Sequence, residues 1–316
     1  MKKGKQIMAL GIGVTVLLGG CLNMNLSKDK EKVDKEIVAT SGERNAYEKD
    51  NFVRIQDYHG AGYTLRNSGK ETRHLAASHR GEIQKAVKAF FIDTYKTEVM
   101  VHNIIGAVDG ASVFVESVGE PHFYSVAIVP IDLDTKKVKT DEVWSQEGQV
   151  ENALSGALYA MAFDEKFTKL DRYLKDFTAS YPIVGTPIKA IENVGAKGYA
   201  TSYYYINPVG EAFDELYKVY LENPDISKDE LRNFLHEQKF EPEDILLTIY
   251  LYMKDKEKAP DKDMFDKVVS DIEKLEGIPR GSYSIILNDN LIDRRRAIGT
   301  KENSLKRTAP NEIIKD

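Results

Sequence analysis

Apolar and polar positions alternate with two different periods along this chain, and the period changes mark its elements. Ile83, Ala86, Val87, Phe90 and Phe91 recur at three- and four-residue steps, which predicts a helix from near Ser78 to Lys96 with one buried face. The period then falls to two. Val99 to Ile105, Ala111 to Ser117 and Phe123 to Ile131 are rich in Val, Ile and Phe. Turn signals at Asp109-Gly110 and around Gly119-Glu-Pro121 separate them, so they read as a three-stranded antiparallel meander. Val138 to Ser145 is a candidate fourth strand, and Phe52 to Tyr58 a short extended piece before them. A helix followed by a meander predicts an α+β layer, with the helix packed on one sheet face.

Helical spacing returns at Gln149 to Phe163, where Val150, Leu154, Leu158 and Met161 mark the apolar face. Phe167, Leu170, Leu174, Phe177 and Tyr181 mark the next helix, which Pro182 ends. Phe213, Leu216, Tyr217, Tyr220 and Leu221 form a further stripe. Ser227 and Glu230 make a capping box for the helix that follows. Pro242 suits a helical first turn, and the apolar run Ile245 to Met253 is read as a core helix. Phe265, Val268, Ile272 and Leu275 give a last helix, and Ser282 to Leu287 one late strand. The expected architecture is an α+β layer over residues 51–180 and a mainly helical region over 181–297. A polar tail is expected at 298–316.

The first 50 residues follow another logic. Lys2, Lys3 and Lys5 precede a mostly apolar run from Ile7 to Leu18, and Leu18-Gly19-Gly20-Cys21 ends it. The run is shorter than the roughly 20 residues that span a bilayer, and it fits a secretory signal with a small-residue cleavage site. A cysteine just after such a site is the pattern of a bacterial lipoprotein. Cleavage between Gly20 and Cys21 then leaves Cys21 to carry diacylglycerol, because two acyl chains hold a protein durably and one does not. Residues 21–50 are polar and charged and are expected to act as a flexible tether.

Composition narrows the activity more than it names one. Removal of Lys2, Lys3 and Lys5 takes the formal charge from −6 to −9, which disfavours nucleic acid as a partner. Cys21 is the sole cysteine, so its acylation would leave the mature chain no disulfide, thiolate zinc site or cysteine nucleophile. No His-Glu-x-x-His, Walker loop, dinucleotide fingerprint or Gly-x-Ser-x-Gly elbow occurs. No catalytic residue, metal or cofactor is therefore assigned.

Several residues remain as candidates for binding. His102 and His122 fall on the first and third meander strands and could approach one another as metal ligands or as satisfied histidines. His122 could pair with Glu116 or Glu120 for acid–base work. Tyr199, Tyr203, Tyr204 and Tyr205 could form an aromatic platform for a sugar or peptide, or pack their rings over the junction of the two halves. Asp132-Leu-Asp134 and Asp225 to Asp229 lack the glycine of a calcium loop and read as a turn and a helix cap. Arg294-Arg295-Arg296 is either a solvated run or a contact for phosphate headgroups or wall polyanions.

Longer strings carry a family likeness. Val115-Glu-Ser-Val-Gly-Glu-Pro-His-Phe-Tyr124, Val143-Trp-Ser-Gln-Glu-Gly-Gln-Val-Glu-Asn152 and Gly156-Ala-Leu-Tyr-Ala160 resemble the domain of unknown function 1672 family, together with Gly281-Ser-Tyr-Ser284 and Leu287-Asn-Asp-Asn290. The resemblance implies a lipoprotein of Bacillus- and Staphylococcus-like Gram-positive bacteria, anchored at the outer face of the cell membrane, and it implies no activity. The expectation is a non-enzymatic module that binds an envelope protein or wall component through Glu116, His122 and the tyrosines. The alternative is an envelope hydrolase using Glu116, His122 or Glu147.

Overall fold

The structure is a computed structural model that describes residues 45–65, 69–256 and 258–316. Gly20 and Cys21 lie outside the described residues, as does most of the segment expected to be a tether. The described residues form one compact unit. It is a mixed α and β protein with antiparallel sheets.

Helix α1 (Ala46–Asn51) leads into strand β1 (Phe52–Arg54), and helices α2 (Lys70–Ser78) and α3 (Arg80–Tyr95) follow. The meander forms as its period-two pattern predicts: β2 (Val99–Gly106), β3 (Gly110–Ser117) and β4 (Tyr124–Asp132) pair antiparallel in sequence order. The fourth strand is shorter than expected. Only β5 (Lys137–Val138) joins the sheet, and Trp144 adds a single bridge to Ile128. Ile83, Val87 and Phe91 of α3 share the main core with Val113 and Val115 of β3, so one sheet face is sealed by a helix.

Helices α4 (Gln149–Ala162) and α5 (Asp164–Ser180) stand where the stripes put them. Between them and residue 211 come β6 (Ile183–Val184), the short α6 (Ile188–Val194) and β7 (Tyr204–Pro208). Helices α7 (Glu211–Glu222) and α8 (Lys228–Gln238) follow, and Ser227 and Glu230 cap α8 reciprocally.

The second half is not mainly helical. Ile245–Met253, expected as a helix, is strand β8, the centre of a second sheet. Pro242 opens only a three-residue 3₁₀ turn before it. The physical reason lies in composition: the run is short, continuously apolar and rich in Ile, Thr and Tyr, which suit a pleated surface. Its buried positions alternate through Ile245, Leu247, Ile249 and Leu251. Helix α9 (Lys262–Lys274) crosses over from β8 to β9 (Gly281–Asn288), which runs parallel to β8. Strands β6 and β7 pair antiparallel along the free edge of β8.

The tail expected after Ala297 is also structured. After β10 (Leu291–Asp293), β11 (Leu305–Arg307) and β12 (Ile313–Lys315) close the open edge of β9. Such an edge would otherwise present unpaired backbone groups. β1 pairs with β10, tying the start of the folded unit to its C-terminal part. The main core is continuous from α3 and the meander to β8, β9 and Ile313. The two halves therefore share one core.

Candidate functional site

The side chains that chemistry could use gather on the outer meander face, opposite α3. Register decides this. Met100 pairs with Glu116, and Glu116 with Tyr124, so all three point to the same side. The register of β2 shifts between Val101, opposite Val115, and Asn103, opposite Phe114. His102 is the extra residue of this bulge. A bulge re-aims side chains, and here two consecutive polar residues serve the outer face. His102 reaches Glu116, and Asn103 donates to the Asn193 carbonyl of α6 at 2.9 Å.

Glu116 is the centre of the arrangement. Its Oε2 lies 2.6 Å from Nε2 of His102, and its Oε1 lies 2.9 Å from Nε2 of His122. Tyr124 donates its hydroxyl to the same Oε1 at 3.3 Å. Burial alone would raise the carboxyl, but hydrogen bonds from His122 and His102 and their charge outweigh it and hold Glu116 below its ordinary 4.5. An ionised carboxylate can only accept, so both imidazoles present Nε2–H to it. Burial, with Glu116 beside it, pushes the Tyr124 phenol far up, so it stays a donor.

A second carboxylate stands behind His102. Glu192 of α6 lies 3.9 Å from its Nδ1 and is itself paired with Lys189 at 2.7 Å. The His102 side chain is 9% exposed, Glu116 17% and His122 32%, so His122 is the member that faces water. Its backbone N–H donates to Glu120 at 3.2 Å, and its ring meets Tyr124 edge-on at 5.2 Å and Tyr199 at 6.5 Å.

The loop after α6 brings Tyr199 there. Gly198 bridges to Tyr124 through two backbone hydrogen bonds. Its φ is +71°, and a Cβ at that point would stand 2.9 Å from Ala153 Cα, so glycine is needed on both counts. Burial pushes Tyr199 up to about 12.

The four tyrosines do not make an open platform. Tyr204 is 1% exposed and stacks on Phe167 with ring centroids 6.1 Å apart. Tyr199 and Tyr203 pack on the main core, and Tyr203 accepts a hydrogen bond from Thr178. Tyr205 sits under Lys197, whose ammonium is 4.1 Å from the ring centroid. Their rings are spent on joining β7 to α5 and to the meander; Tyr199 meets the His122 ring and Tyr205 packs against the cluster that holds Tyr124. Glu147 stands on the exposed turn before α4, without a hydrogen bond to Glu116 or His122 among the described residues.

Among the described residues no group of three or more His, Cys, Asp and Glu side chains is set to hold a metal ion. The two imidazoles offered as ligands are separated by the carboxylate they both bind. Asp132 accepts from the Thr135 backbone N–H at 2.9 Å, which is a turn. Tyr124, Glu192 and Lys189 were not singled out in the sequence. Tyr124 was within reach, because it follows Glu116 around one hairpin on the same face.

A comparison with protein families places the architecture. Residues 45–315 match the family described as protein of unknown function, DUF1672. The chain belongs to the DUF1672 family. A solved DUF1672 family protein from Staphylococcus aureus subsp. aureus Mu50, determined at 1.80 Å, is similar in fold with a TM-score of 0.69. It is 18% identical, and the match covers 84% of this chain and 98% of that one. No curated protein of described function matches. No described helix is long and apolar enough to cross a membrane.

Proposed function

We propose that this DUF1672 protein is a lipid-anchored extracytoplasmic binding protein that holds an envelope protein or wall component at the His122 corner. The single observation that supports binding over catalysis is the internal engagement of Glu116, which accepts three hydrogen bonds from its own neighbours. Both oxygens accept from imidazoles, and Oε1 accepts from Tyr124 as well. A carboxylate holding three hydrogen bonds is committed to its own strands more than to a substrate, and it fixes the orientation of His122 beside Tyr199. A rigid, half-exposed imidazole next to a tyrosine ring suits recognition, because little side-chain entropy is lost on contact.

The anchor rests on the sequence: the lysines, the apolar run and Leu18-Gly19-Gly20-Cys21. Labelling cells with radioactive palmitate tests it. The wild-type chain should take label and Cys21→Ser should not; equal labelling, or none in either, removes the anchor.

One observation favours a hydrolase as a second reading. His122 is oriented by Glu116 at 2.9 Å, and its Nδ1 has no hydrogen-bond partner among the described residues, as a general base would need. His122→Gln separates the two. Gln offers an amide donor to Glu116 but no basic nitrogen, so binding should survive in part, whereas proton transfer would not.

A further inference from the structure

The run Arg294-Arg295-Arg296 is not absorbed by the His122 corner, and the fold gives it a specific neighbour. It forms the exposed turn after β10, next to the first helix of the described chain. Tyr47 of α1 donates its hydroxyl to Asp293 at 2.9 Å. The Arg294 backbone N–H donates to the Asn51 carbonyl at 3.0 Å, and the Arg296 guanidinium stands 5.9 Å from the Tyr47 ring. The arginine turn and the entry of the chain into the folded unit are thus one surface. Cys21 lies 24 residues before Asn45, a length that reaches about 80 Å at most when fully extended.

Charge on this face is unevenly spent. Arg54 pairs with Asp57 at 3.0 Å, and Arg296 lies 3.8 Å from the buried Asp293. Lys49 offsets one of the two neighbouring carboxylates on α1, Glu48 and Asp50, so that helix leaves one negative charge against the three arginines. Arg294 and Arg295 have no ion-pair partner among the described residues, and Ile298 beside them is exposed. The chain as a whole is acidic, so an anionic bilayer repels it on balance and attraction needs a local basic patch such as this one.

We infer that the Arg294–Arg296 turn seats the folded unit on anionic phospholipid headgroups, at the point where the chain arrives from its anchor. This rests on the lipid-anchor reading. Guanidinium groups bind phosphate through paired N–H donors, and each basic residue near an anionic surface adds attraction that salt screens. Seated this way, the unit would have a fixed orientation on the membrane.

The test uses the acylated chain purified from membranes. Acylated Cys21 leaves Ile298→Cys as the sole thiol, which is labelled with an environment-sensitive nitrobenzoxadiazole dye. The protein is reconstituted in vesicles of phosphatidylcholine alone or with phosphatidylglycerol. The expected result is a blue shift and loss of iodide quenching only with phosphatidylglycerol, reversed by high salt. It should be absent in Arg294→Gln/Arg295→Gln, whose fold is checked by circular dichroism. Identical emission on both vesicles overturns the inference, as does an unchanged shift in the double variant. A shift caused by soluble polyphosphate but not by phosphatidylglycerol would assign the turn to a wall polyanion instead. Failure of the anchor itself is read separately, as absence of palmitate label on the wild-type chain.

Discussion

Nε2 of His102 lies 2.6 Å from Oε2 of Glu116, across the bulge in β2. That contact joins two strands on the face away from the helical core, and His122 meets the same carboxylate from the loop just before β4. Removing the carboxylate should therefore unsettle both imidazoles. Glu116→Ala is expected to lower stability by about 1–3 kcal/mol, the usual effect of stranding partly buried donors of a charged hydrogen bond. Urea denaturation measures it, and a double-mutant cycle with His102→Ala should show non-additive effects.

Acid should weaken the same contact. The folded-state carboxyl of Glu116 sits below 4.5, so its contribution is complete above the ordinary value. The contribution is lost as pH falls through the lower, folded value. Glu116→Gln should narrow the stability gap to wild type as pH drops below about 4.5. Thermal melts across pH 3 to 7 would reveal a gap independent of pH if the carboxylate were not specially held.

Leu247 is fully buried on β8, between β7 and β9. Leu247→Ala should destabilise by roughly 2–5 kcal/mol, as large-to-small changes in packed cores do. A loss below about 0.5 kcal/mol, typical of surface positions, would contradict a central strand here.

Gly106 ends β2 against the start of α2. A Cβ there would stand 2.5 Å from the Arg73 backbone nitrogen and 2.7 Å from its Cα. The obstacle is helix backbone, which has no rotamer to change. Gly106→Ala should cost about 1–3 kcal/mol through overpacking, read as a lowered urea midpoint.

The meander, α3 to α5 and the α8 cap were legible because each carries a clean period or a local cap. Ser227 and Glu230 are three residues apart and need no distant partner. β8 was not legible as a strand: an unbroken apolar run fits both periods, and its pairing with β9 spans helix α9. β11 and β12 are three residues each, too short for any period, and take their structure from the β9 edge. At the site, Glu116 and His122 were named from one hairpin. Glu192 arrives from α6, and His102 meets Glu116 through a bulge that alternation cannot foresee. The tyrosine cluster fits either an aromatic platform or junction packing from sequence, because three adjacent rings cannot all point inward along a strand. Tyr203 and Tyr205 instead cover the edge, while Tyr204 fills the core.

Val118 is 51% exposed and stands in the bend between Glu116 and His122, so it can carry a photo-crosslinking amino acid without disturbing the core. Crosslinking from position 118 in intact cells tests the binding role most directly. One discrete envelope component should be captured by the wild-type chain, lost with His122→Ala, and retained in part with His122→Gln. Capture of nothing at that position, or capture unchanged in His122→Ala, would contradict the assignment of this corner as the binding surface.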